Sequence, residues 1–553
     1  MQPLISAMTS LREVVVAAIK SLLRGKSFIQ AFLAFWISPA ALKDQHGKPK
    51  KGPRRTTDDF LEEAERLLLG PIDGGGLKEF AQQMKRQFRE GLWSNPACML
   101  PSYNHQLPSG YENGQFLALD VGGSTLRVAL VDLRSRGAQG GESVLVRMDS
   151  FKIDNEVKSL QGAAFFDWMA EQIYKTVTKG TTQRHTPEKP LLMGLAWSFP
   201  IEQTSARGGK LQGMGKGFLA ENGLLGQDLG DIINLACKKK GLHVELSAIV
   251  NDSSATLLSE AYINPSTRFG LILGTGVNIA VHLPVTTIGQ PKYGDRPDTW
   301  TEKASHVIVN TELGMFGKDI LPVTRWDKLL RASHPRPDFQ PLEHLVSGFY
   351  LGEVCRIALL EAIDSTGVFG GVVPPSLLTQ YSLDTETMSI IEADTSASFE
   401  VGRSCFMARH PSPVKPSSAD IEILRTLSSF ISRRSASIVA ASLFALWELK
   451  VEAETEFLRG LPADSTFISE TEAETKLTRT MVAFTGSVIE HYPGYQANLK
   501  AYMDSLVGSA EILPGSGDGA ATIDLVLAKE SSLLGAAVAL ASIDDRTSLV
   551  LPN

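Results

Sequence analysis

The sequence is poor in cysteine: Cys98, Cys237, Cys355 and Cys405 are the only four in 553 residues. They lie far apart, with no CxxC pair and no histidine at metal-ligand spacing, which argues against a zinc site or a disulfide framework. The pattern fits free thiols in a reducing compartment. There is no strong excess of either charge, with 54 Lys+Arg against 61 Asp+Glu and a net charge of -7. Nothing global therefore points to a nucleic-acid partner. Low-complexity tracts and apolar runs of the ~20 residues that span a bilayer are absent too. What remains is ordinary globular composition, 43% hydrophobic. A chain this long exceeds what one hydrophobic core usually supports, so two large domains are expected.

The first 55 residues depart from this balance, holding ten Lys/Arg against Glu13 and Asp44 alone. Their apolar stretches, 14–19 and 28–37, are separated by Lys20, Arg24 and Lys26. Phe28, Phe32, Phe35 and Trp36 suit a membrane interface. Such a segment predicts a mitochondrial targeting or outer-surface anchoring helix; an amphipathic helix docked on the protein itself is the alternative. The charged interruption argues against a secretory signal. A basic linker with glycine and proline breakers follows over 43–55, read as solvated chain rather than a nuclear-import signal. Residues 1–56 are thus set apart.

The folded body is predicted to begin near Thr57, where Asp59 and Glu62 have capping-box spacing ahead of a helical pattern. Further on, 116–120 reads as a strand, Gly122-Gly123 as a turn and 126–131 as a second strand. The layout recurs with 268–273, the turn Gly274-Thr275-Gly276, and 277–281. Two such hairpins predict two related α/β halves with a ligand cleft between them.

The second glycine turn is not a dinucleotide fingerprint, because its sixth position is Ile279 and the residues after it alternate as a strand does. Gly215-Lys216-Gly217 lacks P-loop spacing. Backbone N–H groups at tight turns still form anion-binding concavities, and Ser124, Thr125 and Thr275 flank these with hydroxyls. Plain β-turns are the blander alternative.

The motif Asp120-Val121-Gly122-Gly123-Ser124-Thr125-Leu126-Arg127 resembles the first phosphate loop of hexokinases. Ser198-Phe199-Pro200, Gly215-Lys216-Gly217-Phe218, Asn251-Asp252, Gly274-Thr275-Gly276-Val277-Asn278, Asn310-Thr311-Glu312-Leu313-Gly314 and Glu343 follow in that family's order. The ordered set is specific and covers about Leu61 to Ile543. The resemblance implies the α/β actin-like ATPase fold, two RNase-H-like domains around a sugar and ATP cleft. It places a small domain at 108–251 plus 535–553 and a large one at 57–107 plus 252–534. The implied activity is ATP-dependent phosphorylation of a hexose 6-hydroxyl in the cytoplasm, with mitochondrial association through the amino-terminal segment.

Roles carried over from the family make Asp252 the base that accepts the hydroxyl proton, although by itself an Asp at this point reads equally as a helix cap. Lys216 would reach the sugar and the moving phosphoryl group. Ser198, Phe199, Gly215, Asn251, Asn278, Glu312 and Glu343 would complete the sugar site. Asp120, Gly122, Gly123, Ser124, Thr125, Arg127, Gly274, Thr275, Gly276, Gly486 and Ser487 would hold ATP. Mg²⁺ is expected to arrive with ATP near Asp120, with no direct protein chelate.

Three departures from the family stand out. Gly215 replaces a threonine and Leu313 a tryptophan; both changes open the sugar wall and leave N-acetylglucosamine and glucose on an equal footing. Thr485-Gly486-Ser487 replaces Asp-Gly-Ser, and Leu533 and Leu534 stand within a later Gly-Ser-Gly loop. Weakened ATP binding would make the chain a catalytically weak or inactive hexokinase-like sugar-sensing regulator, the alternative function.

Overall fold

The computed structural model describes residues 55–139, 141–179, 185–215, 217–294, 296, 300, 304–510 and 521–543. Residues 1–54 of the anchor segment and linker expected over 1–56, Lys216, and residues 544–553 of the expected small domain lie outside the described residues. The described residues divide into two compact units, the first comprising 55–70, 324–332 and 351–431 and the second the remainder.

The described part of the first unit is helical. Its opening helix, Thr57–Leu68, has its capping box three residues earlier than the Asp59/Glu62 reading. Thr56 is the cap: its hydroxyl accepts from the Asp59 N–H, and the Asp59 carboxylate accepts from the Thr56 N–H at 3.3 Å. Thr56 wins because its short hydroxyl folds back onto the exposed amide of the first turn. Phe60 packs against Trp326, with ring centroids 6.2 Å apart. Arg325 spans Glu63 and Glu361, and the Trp326 indole donates to Glu361, so the polar rim of this core is paired.

The second unit contains two large sheets built alike and a two-stranded ribbon of β6 (Ile201–Gln203) with β7 (Gly209–Leu211). In the first, β2 (Asn113–Val121) and β3 (Thr125–Arg134) form the predicted hairpin, and β4 (Ser143–Lys152) continues the antiparallel meander. Then β5 (Leu191–Trp197) and β8 (Val244–Val250) add parallel to β2, giving the order β4-β3-β2-β5-β8. In the second, β9 (Thr267–Leu273), β10 (Val277–Pro284) and β11 (His306–Asn310) repeat the meander. Here β12 (Arg479–Thr485) and β13 (Thr522–Leu527) lie parallel beyond β9, and the short β1 (Leu100–Pro101) extends the far edge. The internal repetition expected from the two glycine hairpins is thus present in full topology.

Alternation sorts the two faces of the first sheet. Leu117, Leu119 and Val121 point into a core with Phe165, Met169 and Ile233, from helices Ala163–Thr178 and Leu229–Lys239. Phe116 and Ala118 point the other way, into a core with helices Asp252–Ile263 and Ser531–Ala541. A strand buried on both faces needs no polar positions, which accounts for the unbroken apolar run in β2. Helices Asp252–Ile263 and Ser531–Ala541 cross closely at Gly535, where an added Cβ would stand 2.0 Å from the Ala255 carbonyl oxygen.

Glu260 is a carboxyl in this second core, 7% exposed. Burial, reinforced by the Glu142 carboxylate, pushes it up to about 7 from 4.5. Between those values the folded state holds a proton that the unfolded chain has lost, so stability falls as pH rises from about 4.5 to about 7, by roughly 3 kcal/mol at most. Glu260→Gln is therefore expected to raise the unfolding temperature at about pH 8 by a few degrees and to leave it unchanged at about pH 4, as read by calorimetry.

Candidate active site

Every described residue of the expected site belongs to the second unit, and most sit at the end of a strand or the start of a helix, Gly215 in a loop and Arg127 within β3 being exceptions. Asn251 and Asp252 join β8 to helix Asp252–Ile263. The cap is Asn251: its Oδ1 accepts from the Ser253 N–H at 2.9 Å and from the Ser253 hydroxyl at 2.7 Å. Asp252 is the first helical residue, half-buried, with Oδ1 accepting from the Ser253 N–H at 2.8 Å. The helix-cap reading of Asp252 is thus corrected by one residue, because the Asn251 backbone is extended while Asp252 already carries helical geometry.

A polar network surrounds this junction. Asn278, on β10, donates through Nδ2 to Asn310 Oδ1 at 2.8 Å and to Asn251 Oδ1 at 3.4 Å. Its Oδ1 accepts from the Leu313 N–H at 3.3 Å. Asn310 passes the chain on, donating to Glu312 Oε1 at 2.8 Å. Glu312 adopts a left-handed backbone (φ 52°), uncommon for a residue with a Cβ and typical of functional turns. Burial raises the Glu312 carboxyl above its ordinary range; the Asn310 amide opposes this and the nearby Glu343 carboxylate adds to it. Asn310 lay in the expected sugar-site motif without a role of its own; it joins Asn278 to Glu312. Its signal in the sequence was its place two residues before Glu312, which puts both on one side of an extended segment.

Glu343 is held from the glycine hairpin, its Oε2 accepting from the Val277 N–H at 3.1 Å. A Cβ at Gly276 would lie 2.8 Å from that same oxygen, so glycine here serves the approach of a carboxylate. The hairpin tip is braced behind by the Gly348 N–H, which donates to the Gly274 carbonyl at 2.8 Å. Across from Gly274 lies the turn Thr485-Gly486-Ser487; a Cβ on Gly274 would come within 3.2 Å of the Ser487 nitrogen. Glu490, also unanticipated, fixes that turn by accepting from the Gly486 N–H at 2.7 Å and the Thr485 hydroxyl at 2.8 Å. Thr275 and Ser487 are exposed at these tips.

At the first hairpin the Gly122 N–H donates to the Thr125 carbonyl at 3.0 Å, closing a tight turn with Gly123 and exposed Ser124. Below the tip, Arg127 faces Asp120 across the strands. Burial raises the Asp120 carboxyl, opposed by Arg127. Two narrow turns with free hydroxyls, a third beside the second, and one arginine form a donor set that fits a polyphosphate. Among the described residues no group of three or more His, Cys, Asp or Glu is placed to hold a metal ion.

Leu313 is fully buried. Leu533 is likewise fully buried in the core of helix Ser531–Ala541, with Leu534 packed against that core. The Leu533 side chain therefore faces the core and not the nucleotide loops. Phe199 is buried with Trp197 and Phe218 in an aromatic cluster, while Ser198 is half-buried and donates its N–H to the Val121 carbonyl. Gly215 is exposed, with a left-handed φ of 64° and open space where a Cβ would stand.

A repeated α/β hairpin architecture with acid, amide and glycine-turn groups at its strand ends defines a sugar kinase of the actin-like ATPase fold. Two family models, both described as hexokinase, match residues 71–262 and 268–542. Hexokinase-1 of Arabidopsis thaliana is 31% identical over 461 residues, 81% of this chain and 87% of that protein. Hexokinase-1 of Nicotiana tabacum is 30% identical over 469 residues, 83% of this chain and 88% of the relative. A solved hexokinase from Schistosoma mansoni, complexed with glucose, superposes with a TM-score of 0.68 at 25% identity, covering 88% of this chain and 100% of that one. The chain belongs to the hexokinase family of ATP-dependent hexose kinases.

The Gly276–Glu343 approach yields a direct test. Gly276→Ala forces the end of a flexible side chain aside rather than the backbone, so the unfolding temperature should stay within about 2 °C of wild type while hexose affinity, measured by calorimetric titration, falls roughly tenfold.

Proposed function

We propose that the chain transfers the γ-phosphoryl group of ATP to the 6-hydroxyl of a hexose, with Asp252 accepting the hydroxyl proton. The observation that carries this reading is the position of Asp252. Capping falls to Asn251, and Asp252 stands at the buried helix start beside the Asn251–Asn278–Asn310–Glu312 network. That network supplies donors and acceptors for sugar hydroxyls, and a site of fixed polar groups rejects ligands that leave them unpaired. Glu312 and Glu343 accept from ring hydroxyls and orient the 6-hydroxyl. As its oxygen bonds to the γ-phosphorus, the bond to the ADP oxygen breaks and the proton passes to Asp252. Lys216 offsets charge on the moving group, while Gly122 to Thr125, Gly274 to Gly276 and Gly486-Ser487 present N–H and hydroxyl donors to the phosphates. Mg²⁺ carried on ATP, on the side of Asp120, neutralises phosphate charge.

Glucose and N-acetylglucosamine both suit this site. Open space at Gly215 supports the bulkier sugar, while the similarity to a hexokinase solved with glucose supports the smaller. We place the enzyme in the cytoplasm, with the basic and aromatic amino-terminal segment holding it at the mitochondrial outer surface.

Purified protein is expected to release ADP from Mg-ATP with a hexose, and Asp252→Asn to lower kcat by about a thousandfold or more with sugar affinity kept. A coupled assay over glucose, mannose, fructose and N-acetylglucosamine ranks the sugars by kcat/KM. Sugar binding without turnover on any of the four would replace this reading with that of a non-catalytic sugar sensor. Removing residues 1–42 should move the protein from the mitochondrial to the soluble fraction of expressing cells.

A further inference from the structure

The guanidinium of Arg127 is committed to two carboxylates. Its Nε and Nη2 donate to Asp120 Oδ2 at 2.8 and 2.6 Å, and its Nη1 donates to Glu530 Oε2 at 2.7 Å. The two acids are not equivalent. Asp120 is buried, its side chain 12% exposed, and it takes two of the three bonds; Glu530 is 38% exposed and takes one. Glu530 also holds a left-handed backbone, φ 49°, immediately before helix Ser531–Ala541. The next residue, Ser531, shares a buried hydrogen bond of 3.1 Å with Thr256 on the helix that begins at Asp252. A side chain with a Cβ is disfavoured in that backbone region, so the flanking contacts and not local preference fix where the carboxylate stands.

Guanidinium recognises phosphate with the same forked geometry as carboxylate, and a phosphate of higher charge competes well for it. A polyphosphate arriving at the turn Gly122 to Thr125 meets Arg127 two residues away, with its fork already filled. The more exposed, singly bonded acid is the one that can yield. Until it does, its negative charge opposes the incoming anion. We propose that Glu530 is a positioning residue that sets nucleotide affinity: it holds Nη1 of Arg127 and releases it to the phosphates of a nucleoside triphosphate. This rests on the reading that the first hairpin takes ATP phosphates.

The test uses the full chain and measures ATP binding by calorimetric titration, with and without Mg²⁺, together with steady-state kinetics. Glu530→Gln is expected to tighten ATP binding about threefold to tenfold, and to lower KM for ATP by the same factor with KM for the hexose unchanged. Glu530→Gly, which suits the left-handed backbone, should do the same and so excludes a folding artefact. Glu530→Asp keeps the charge and should leave the affinity near wild type. In an Arg127→Ala background the Glu530→Gln effect should vanish, since the residue acts through that arginine. Unchanged or weaker ATP binding in both neutral variants overturns the proposal, as does an undiminished effect without Arg127. If wild type binds no ATP at all, the nucleotide reading falls and this inference with it; if wild type binds and the variants do not tighten, only this inference falls.

Discussion

The close crossing of two helices on the first sheet is the constraint on which the rest of this protein depends. Helix Asp252–Ile263 is gripped on one side by helix Ser531–Ala541, where Gly535 lets the Ala255 carbonyl approach, and on the other by β9, where a Cβ at Gly270 would meet the Ser253 oxygen at 2.3 Å. Ten of its twelve residues are buried, from Ser253 to Tyr262. Such a helix cannot shift without displacing both neighbours, because protein interiors are packed as tightly as organic crystals. Its first residue is Asp252. The carboxylate proposed as the base is therefore positioned by core packing and by the Asn251 cap.

The two hairpin halves divide the work of holding charge. One brings Asp120 and Arg127 under a glycine turn; the other brings Asn278 to Asn310 and thence to Glu312, with Glu343 drawn against Gly276. In each, a carboxylate whose burial is unfavourable is met by a fixed donor: a guanidinium in the first, an amide N–H or side-chain amide in the second. That pairing leaves no uncompensated charge in the core. The same logic holds where no chemistry is done. Arg268, Glu474, Lys450 and Glu454 form a buried chain of ion pairs beside β9, and these pairings, Lys450 above all, drive the Glu474 carboxyl far below its usual range against the opposing effect of burial.

Much of this could be read in the chain itself. The hairpins were legible because a β-run, a glycine pair and a second β-run leave few alternatives, and their repetition announced two similar halves. The ordered motifs then led to Asp252, Glu312 and the glycine turns. Less legible were groups whose part depends on distant partners. Asn310 reads as one polar residue at a strand end until Asn278 lies beside it. Glu530 reads as a surface acid, since its partner Arg127 lies 403 residues away in sequence, whereas Glu490 is tied locally to the Thr485 turn four and five residues before it. Leu533 misled in the opposite sense. A bulky side chain in an expected loop reads as an obstruction, whereas the helix turns it into the core.

Composition and motif order by themselves determined the class of fold, the repeated halves, the family and the residues that must gather. Local rules suffice for these, because strand period, turn glycines and side-chain chemistry belong to short stretches of chain. Tertiary structure decided which neighbour each residue serves. It placed Leu533 in the interior against helix Asp252–Ile263. It also set Glu530 against Arg127. Those outcomes turn on contacts between segments hundreds of residues apart, where ångström-scale packing and the pairing of buried charge select among arrangements that the sequence alone leaves equivalent.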